Sequence, residues 1–460
     1  LVPRKQALKR KLGTDSEETA NRFFNDPATD VFCQVGGRLS VVGGARTYSV
    51  TVAEIERRTR APECVPLSLL GPLLKRGKVK GCGDKLKGLL QERQIPSGGT
   101  ASDSRRKPPV STLSALLEEE AAHLSADHAD LLASHFPLVF VARLLVLQLH
   151  PTPAALAACA AEAAAAHPII SSLSSLLSEW SSHSPASPLT EFGLVTHSLG
   201  VAEALSLSSL FARLLVTLQE ECRAQAARIM QFPQSYPDIP APDANMQQEA
   251  AMLAMGPIKF GEVDGRLTLH SRKYLVTVAE ITRRLRAPES LNLSTLGSIL
   301  RRGKTSNNGS ELRDELSKHG IRVDQGRRKG AKLTCFTALL EEEALILARD
   351  LGEAMGRFFP VSYLAAELNS RAQASTTAGI TQRSTALAAA SRLAASLSET
   401  LASLRLPISD RQPSSISPYA HLMRNYSSLT HGYGPEVCVL WLEAFRKVYD
   451  ASRERLPLTC

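Results

Sequence analysis

One segment of this chain occurs twice. The sequence Thr-Val-Ala-Glu-Ile at 51–55 returns at 277–281, and Arg-Ala-Pro-Glu at 60–63 returns at 286–289. Other motifs around it recur in the same order and at nearly the same spacing, so the chain contains one domain twice. No other feature constrains the fold as strongly, because any structure formed by the first copy must also suit the second.

The two copies divide the chain into four predicted parts. The copies align from Arg38 in copy one and Arg266 in copy two as far as the Phe-Pro pairs at 136–137 and 359–360. Beyond these pairs their sequences diverge. We expect a flexible basic tail over residues 1–30, copy one over 31–230, a Pro-rich linker over 231–258 and copy two over 259–456. The tail contains four basic residues, Lys5, Lys9, Arg10 and Lys11. They are equally compatible with a nuclear localisation signal and with a charged tail that is simply exposed to solvent.

The hydrophobic pattern changes period within each copy. In copy two, alternation at Tyr274 and Val276 predicts a short strand, and the next helix must end before Pro288. From Leu339 onwards, apolar residues recur every three or four positions, which predicts a helix of about five turns. We assign Glu341–Glu343 to its first turn, where they complement the helix dipole. Further helices are predicted over 378–404 and 435–452.

The predicted fold class is therefore mainly α with a small β element. Each copy is a small basic strand-and-loop module followed by a helical bundle. In copy one, Ser125, His128 and His135 replace apolar residues of the matching helix stripe. That stripe buries less apolar area, so we expect copy one to be the weaker bundle or to pack differently.

Composition narrows the function. The net charge of +9 favours nucleic acid or an acidic partner, while only 5% aromatic residues argue against a base-stacking single-strand binder. The cysteines lack zinc-knuckle spacing, and no phosphate loop or nucleophile elbow is present. The histidines at 123, 128 and 135 have no evident further ligands. We predict no enzyme, no metal, no cofactor and, since no uninterrupted apolar run is long enough, no membrane partner.

Three positive clusters recur in each copy. Arginine can hydrogen-bond guanine or phosphate with two parallel bonds, and three clusters kept in order favour a binding surface over a merely solvated face. The clusters of copy one are Arg57/Arg58/Arg60, Lys75/Arg76/Lys78 and Arg105/Arg106/Lys107. Those of copy two are Arg283/Arg284/Arg286, Arg301/Arg302/Lys304 and Arg327/Arg328/Lys329.

The motif order of copy two resembles a known family. The motifs are Gly265-Arg266-Leu267, Tyr274 to Arg284, Pro288-Glu289, Leu300 to Lys304, Gly326 to Lys329, Leu340 to Ala344 and Thr430-His431-Gly432-Tyr433-Gly434. They are similar to the activating-enhancer-binding protein 2 family of basic helix-span-helix transcription factors. Copy one is similar over 36–137 and only faintly beyond, where Thr196-His197-Ser198-Leu199-Gly200 replaces the last motif.

The resemblance implies a nuclear, sequence-specific regulator that binds GC-rich palindromic double-stranded DNA as a dimer and works with transcription coregulators. It implies DNA contacts in copy two by Arg283, Arg284, Arg301, Arg302, Lys304, Arg327, Arg328 and Lys329. In copy one the matching residues are Arg57, Arg58, Lys75, Arg76, Lys78, Arg105 and Arg106. Because Lys75 stands where copy two has Arg301, it lacks the two-pronged geometry for reading a base.

Three arrangements are compatible with these residues. Both copies could pair within one chain as a pseudo-dimer on one palindrome. Alternatively, copy two alone could dimerise between chains and bind DNA, with copy one a degenerate interaction module. A helical scaffold that binds acidic proteins and no DNA is the third.

Overall fold

The computed structural model describes residues 30–40, 46–75, 82–93, 95, 110–149, 152–183, 187–232, 234–241, 258–302, 308–323, 330–372, 376–406 and 417–457.

Copy one starts with an antiparallel hairpin and continues as helices, with a 3₁₀ turn at Leu113–Ala115. The strands are β1 (Val31–Gly36) and β2 (Thr47–Thr51). The helices are α1 (Val52–Thr59), α2 (Leu67–Leu73), α3 (Cys82–Glu92), α4 (Glu118–His135), α5 (Leu138–Gln148), α6 (Pro153–His183), α7 (Pro188–Val195) and α8 (Leu199–Gln231).

Copy two repeats this order, with 3₁₀ turns at Phe336–Ala338 and Ala420–Met423. Its hairpin pairs β3 (Lys259–Asp264) with β4 (Lys273–Thr277). The helices are α9 (Val278–Leu285), α10 (Leu293–Ile299), α11 (Asn308–Lys318), α12 (Glu341–Phe358), α13 (Val361–Ser370), α14 (Thr377–Ser403), α15 (Arg424–Leu429) and α16 (Tyr433–Glu454).

In both modules a strand runs directly into a helix. Thr51 and Thr277 end the second strand, and their side chains accept hydrogen bonds from the amides of Glu54 and Glu280 at 3.0 and 3.1 Å. A threonine at this position suits both states, because it favours strands and caps helices. The alternating strand residues and one face of the helix then share a small core, which in copy two includes Val276 and Ile281.

The two helical bundles form one hydrophobic core. Helix α6 of copy one packs against α14 of copy two, and α4 and α7 contact α15 and α12. The ring of Phe192 in copy one lies 5.5 Å from that of Phe359 and 6.0 Å from that of Trp441 in copy two. The copies are therefore joined side by side through buried apolar side chains.

Reciprocal hydrogen bonds mark the junction between the copies. The amide of Thr112 in copy one donates to Asp350 Oδ2 of copy two at 2.7 Å. At the equivalent place, the amide of Cys335 in copy two donates to Asp127 Oδ2 of copy one at 2.6 Å. Each copy thus presents the same two positions to the other, as subunits do across a two-fold axis.

The main structural predictions are confirmed: the strand before α9, the helix end before Pro288, and the helices assigned as α12, α14 and α16. The copy-one stripe packs differently from that of copy two, which was one of the two expectations for it. Ser125 and His128 are buried in α4, and His128 hydrogen-bonds across the junction to Tyr426 of copy two. A polar contact between the copies therefore stands where reduced apolar burial was expected.

Two helices are long and apolar enough to cross a membrane by length and composition, namely Pro153–Glu179 of α6 and Leu199–Gln231. The bent pair α4–α5 passes the same test if counted as one span. The sequence prediction missed them because polar residues such as Glu162 and Ser171 interrupt the apolar runs. In the fold α6 and α8 pack against each other, and α6 also packs against α14.

Candidate nucleic-acid interface

The structure places one arginine of the first cluster inside each copy. Arg58 is only 1% exposed, and its Nε lies 2.9 Å from Glu54 Oε1. It also donates to the carbonyl of Leu116 and lies 3.2 Å from His197 Nε2. Glu63 completes the cluster, 3.9 Å from the guanidinium.

Copy two repeats this buried cluster. Arg284 is 1% exposed, with its Nε 3.0 Å from Glu280 Oε1 and its Nη1 3.9 Å from Glu289 Oε1. The Nη1 group also lies 3.3 Å from His431 Nε2. The histidine of each Thr-His motif therefore ties the bundle to the module through a buried arginine. Burial lowers the pKa of both histidines, so each can accept a hydrogen bond as the neutral ring.

Burial raises the pKa of three glutamates in these clusters. The pKa rises to about 7 for Glu54 and Glu280, and to about 8 for Glu63, although the guanidinium opposes the rise. In copy one a single guanidinium faces two buried carboxyl groups, so it cannot balance both as anions. The guanidinium groups of Arg58 and Arg284 are buried in these clusters and offer little surface to a phosphate, while their contact with DNA stays a prediction.

The other arginine of the pair anchors the long helix. Arg283 donates from Nε and Nη2 to Glu341 at 2.8 and 2.5 Å, and Arg57 makes the same two-pronged contact to Glu118. The remaining glutamates of each triplet accept backbone amides of the module, as Glu343 does from Arg266 and Leu267. The triplets therefore hold module and bundle together, beyond the dipole role expected from the sequence.

The second cluster lies where the two copies meet. Lys75 and Arg301 follow helices α2 and α10, both in the left-handed backbone conformation with φ of 49° and 53°. Lys75 Nζ donates to the carbonyl of Gly37 at 3.0 Å, and Arg301 Nη2 donates to the equivalent carbonyl of Gly265 at 2.9 Å. Both residues are exposed.

Two further arginines complete this junction cluster, which we define as Arg38, Lys75, Arg266 and Arg301. Arg38 Nη2 donates to the carbonyl of Leu73 at the end of α2 (2.8 Å), and Arg266 Nη2 donates to that of Ser298 in α10 (3.0 Å). Arg266 Nη1 also reaches the carbonyl of Arg38 at 3.3 Å, directly across the junction. Arg38 and Arg266 were not among the residues predicted to bind DNA, although each follows a glycine in its copy.

The electrostatics of the junction cluster favour an anion. Partial burial of the ammonium group, which hydrogen-bonds to Gly37, and the charges of Arg38, Arg301 and Arg266 lower the pKa of Lys75. Burial and the charge of Arg301 lower the pKa of Arg266 to about 10. The opposing carboxyl groups, Glu120 and Glu343, have raised pKa values because they are buried. Within the described ranges, four cations from two copies thus face two carboxyl groups whose burial disfavours ionisation, so a bound phosphate would relieve the repulsion among the cations.

Other residues of the predicted clusters are partly engaged or lie outside the described ranges. Arg302 pairs with Glu315 and lies over the ring of Phe260, with 30% of its side chain exposed. The predicted contacts that lie outside the described residues are Arg76, Lys78, Arg105, Arg106, Lys304, Arg327, Arg328 and Lys329.

Three groups with metal-ligand chemistry converge at the junction. Ligand atoms of His123 and Asp127 from copy one and Cys335 from copy two lie within 4.8 Å of one another. Sequence spacing could not show this, because Cys335 belongs to the other copy. Protein partners already occupy these groups: Asp127 accepts the Cys335 amide, and Arg46 Nη1 lies 2.8 Å from His123 Nδ1. Hydrogen bonds within copy one and between the copies account for the arrangement.

Comparison with known proteins agrees with the duplication. The profile of the family described as Transcription factor AP-2 matches residues 32–218 and again residues 260–452. Transcription factor AP-2-epsilon of Xenopus laevis is 41% identical over 192 residues, which are 41% of this chain and 44% of that protein. Human AP-2-epsilon is 40% identical over the same length, and human AP-2 gamma is 39% identical over 195 residues, with 43% of each covered. The match spans less than half the length of these relatives.

Proposed function

The chain belongs to the Transcription factor AP-2 family, and from that premise we propose that it is a nuclear, sequence-specific regulator of transcription. It binds a GC-rich palindromic duplex as a single-chain pseudo-dimer. Copy one and copy two take the places of two subunits, and the junction cluster lies over the centre of the site.

The observation that carries this proposal is the meeting of Lys75 and Arg301. They occupy equivalent positions in the two copies, both are exposed, and the charge of Arg301 in copy two acts on Lys75 in copy one. A palindrome presents two equivalent half-sites around a two-fold axis, and dimeric readers match it with their own symmetry. Two copies with reciprocal contacts supply that symmetry within one chain.

Covalent connection favours this arrangement. Joining two binding modules replaces a bimolecular step by an effective concentration in the mM range, on the order expected for a flexible linker that spans the gap. The helical bundles are already packed into one core, so the basic modules are oriented before DNA binds.

In this arrangement some of the predicted basic residues contact the duplex and others hold the protein together. Lys75, Arg301 and Arg302 contact the duplex, together with the predicted basic residues outside the described ranges. Arg58 and Arg284 support the modules from inside, and Arg57 and Arg283 hold them to α4 and α12. Lys75 supplies a phosphate contact, whereas Arg301 can also supply a two-pronged one.

Neutralising the junction cluster tests the proposal. We expect Lys75→Gln and Arg301→Gln to weaken binding to a selected duplex and to make the dependence of log K on log salt shallower, by about 0.9 for each phosphate that is no longer neutralised. Arg446→Gln is the matched control, because it removes one charge from a partly exposed arginine of α16 that pairs within its own helix.

Binding is measured by fluorescence anisotropy over a range of salt concentrations, on duplexes obtained by selection from random sequence. An unchanged salt slope in the double variant would contradict the placement of DNA over the junction cluster. If the parent chain shows no salt-dependent duplex binding, the helical-scaffold alternative is supported instead.

A further inference from the structure

One buried network of polar side chains crosses the junction between the copies. His128 of α4 is fully buried, with its Nδ1 2.5 Å from Glu203 Oε2 of α8 and its Nε2 2.7 Å from Tyr426 Oη of copy two. Tyr433 Oη of copy two donates to the other oxygen of Glu203 at 3.3 Å. Two side chains of each copy therefore form one connected set.

The hydrogen bonds of this set are mutually consistent. His128 donates from Nδ1 to the Glu203 carboxylate and accepts the Tyr426 hydroxyl proton at Nε2. Tyr426 Oη in turn lies 3.6 Å from Cys438 Sγ, which can donate to it. The ring of His128 also packs against Tyr433, with centroids 5.3 Å apart. The set is satisfied only when copy one faces copy two, because the tyrosines come from the other copy.

The equivalent site on the other side of the pseudo-two-fold axis is apolar. The spacing of the glutamate triplets makes Leu351 the equivalent of His128, and the Thr-His motifs make Val437 the equivalent of Glu203. By the same motifs, Phe192 and Leu199 are the equivalents of Tyr426 and Tyr433. All four are buried. The four equivalent side chains are thus all polar at one site and all apolar at the other.

Pairing of like copies would mix these two sets. In a pair of copies one, His128 and Glu203 would face Phe192 and Leu199, which offer no hydrogen bond. In a pair of copies two, Tyr426 and Tyr433 would face Leu351 and Val437, which leaves two hydroxyl groups without their acceptors. A buried polar group without a partner disfavours the state that contains it by roughly tenfold or more.

We propose that His128, Glu203, Tyr426 and Tyr433 form a pairing code that selects copy one for copy two and rejects either copy for itself. The partner that this surface fits is the complementary half of the same chain. These residues favour pairing of the two copies within one chain over pairing of like copies from different chains. Single buried polar groups determine pairing in coiled coils in the same way. The inference rests on the pseudo-dimer form of the proposed function but not on DNA binding.

A stability cycle on the full chain tests the code. His128→Leu with Glu203→Val gives copy one the residues of copy two, and Tyr426→Phe with Tyr433→Leu gives copy two those of copy one. Each pair of substitutions alone leaves buried polar groups unmatched, so we expect a lower urea midpoint. All four together should recover most of that decrease, because both sites are then apolar. If the fourfold variant shows the sum of the two separate decreases, the four residues are not coupled and the inference fails.

Pairing preference is then measured directly. A protease site inserted in the 242–257 segment is cut after the full chain has folded, and the nicked protein is refolded from urea and weighed by native mass spectrometry. We expect pairs of copy one with copy two to exceed each like pair by roughly tenfold or more. The nicked fourfold variant should shift towards the random ratio, in which half of the pairs are mixed.

The outcomes separate this inference from the proposed function. A random ratio in the nicked parent would overturn the pairing code, whether or not the intact chain binds DNA. Mixed pairs in excess, from a chain that binds no duplex, would uphold the code and refute the DNA-binding proposal.

Discussion

The buried arginine of each module offers the sharpest test of why the fold holds together. Replacing Arg284 by methionine keeps the length and much of the volume of the side chain but removes its charge and its donors. The side chain is 1% exposed, and it bridges Glu280 at 3.0 Å, Glu289 at 3.9 Å and His431 at 3.3 Å. The variant would leave two buried carboxyl groups without their cation.

Removing one partner of a buried ion pair typically costs about 3–5 kcal/mol. This is a large part of the free energy of unfolding of a typical domain, about 5–15 kcal/mol. Because the pKa of Glu280 is already raised to about 7, its carboxyl group can take up a proton when Arg284 is replaced. We therefore expect the larger decrease in stability at pH 8 and a smaller one at pH 6.

The assay is urea denaturation of the full chain, followed by far-ultraviolet circular dichroism. Arg302→Met is the control, since its pair with Glu315 leaves about a third of each side chain exposed and exposed pairs contribute only about 0–1 kcal/mol. Glu280→Gln added to Arg284→Met should restore part of the stability, because it removes an uncompensated charge. A decrease below about 1 kcal/mol for Arg284→Met, together with a clear drop in DNA affinity, would refute the internal role and favour the expected DNA contact.

Three further predictions concern stability in the same urea assay. Arg58→Met, the equivalent change in copy one, should also cost about 3–5 kcal/mol; a decrease confined to copy two would show that the clusters are not equivalent. Gly434→Ala places a methyl group 2.5 Å from the Tyr426 ring and should lower the free energy of unfolding by about 1–3 kcal/mol. The control Gly356→Ala in α12 meets nothing within 4 Å and should raise it by up to about 1 kcal/mol. Equal urea midpoints of the two variants would contradict this interpretation. The folded pKa of Glu63 is raised to about 8, so its contribution to stability is full below its unfolded pKa and is lost as pH rises through 8. Glu63→Gln should therefore gain stability relative to the parent as pH rises from 5 to 8. A difference in free energy of unfolding between variant and parent that stays constant over this range would count against a protonated Glu63.

The sequence predicted the helices and strands well because their signals are local. The three- and four-residue spacing that begins at Leu339 is a property of one helix, and α12 follows it. The proline at 288 excludes helix before it by sterics alone. These features depend little on how the two copies pack.

The location of the basic residues was harder to predict, since charge repeated in both copies suits an internal ion pair as well as a ligand contact. The useful signal was a set of matching glutamates. Glu54 and Glu280 precede the buried arginines by one helical turn, and the duplication keeps them together with Glu63 and Glu289. An arginine that is accompanied by the same glutamates in both copies is better explained by a buried ion pair than by a ligand contact.

The junction cluster and the pairing network depend on contacts between distant parts of the chain. Lys75 and Arg301 are brought together only by the packing of the two bundles, and His128 meets Tyr426 for the same reason. The replacement of an apolar residue by His128 was visible in the sequence. Its partner was not, since nothing local points from α4 to a tyrosine almost three hundred residues away.

The number of chains on one palindromic duplex tests the central claim most directly. Sedimentation velocity of a labelled duplex carrying one selected palindrome, titrated with the intact chain, reports the mass of the complex. The pseudo-dimer account predicts saturation at one chain per duplex, with the free chain a monomer. A complex of two chains on one palindrome would contradict the account and favour DNA binding by copy two across separate chains.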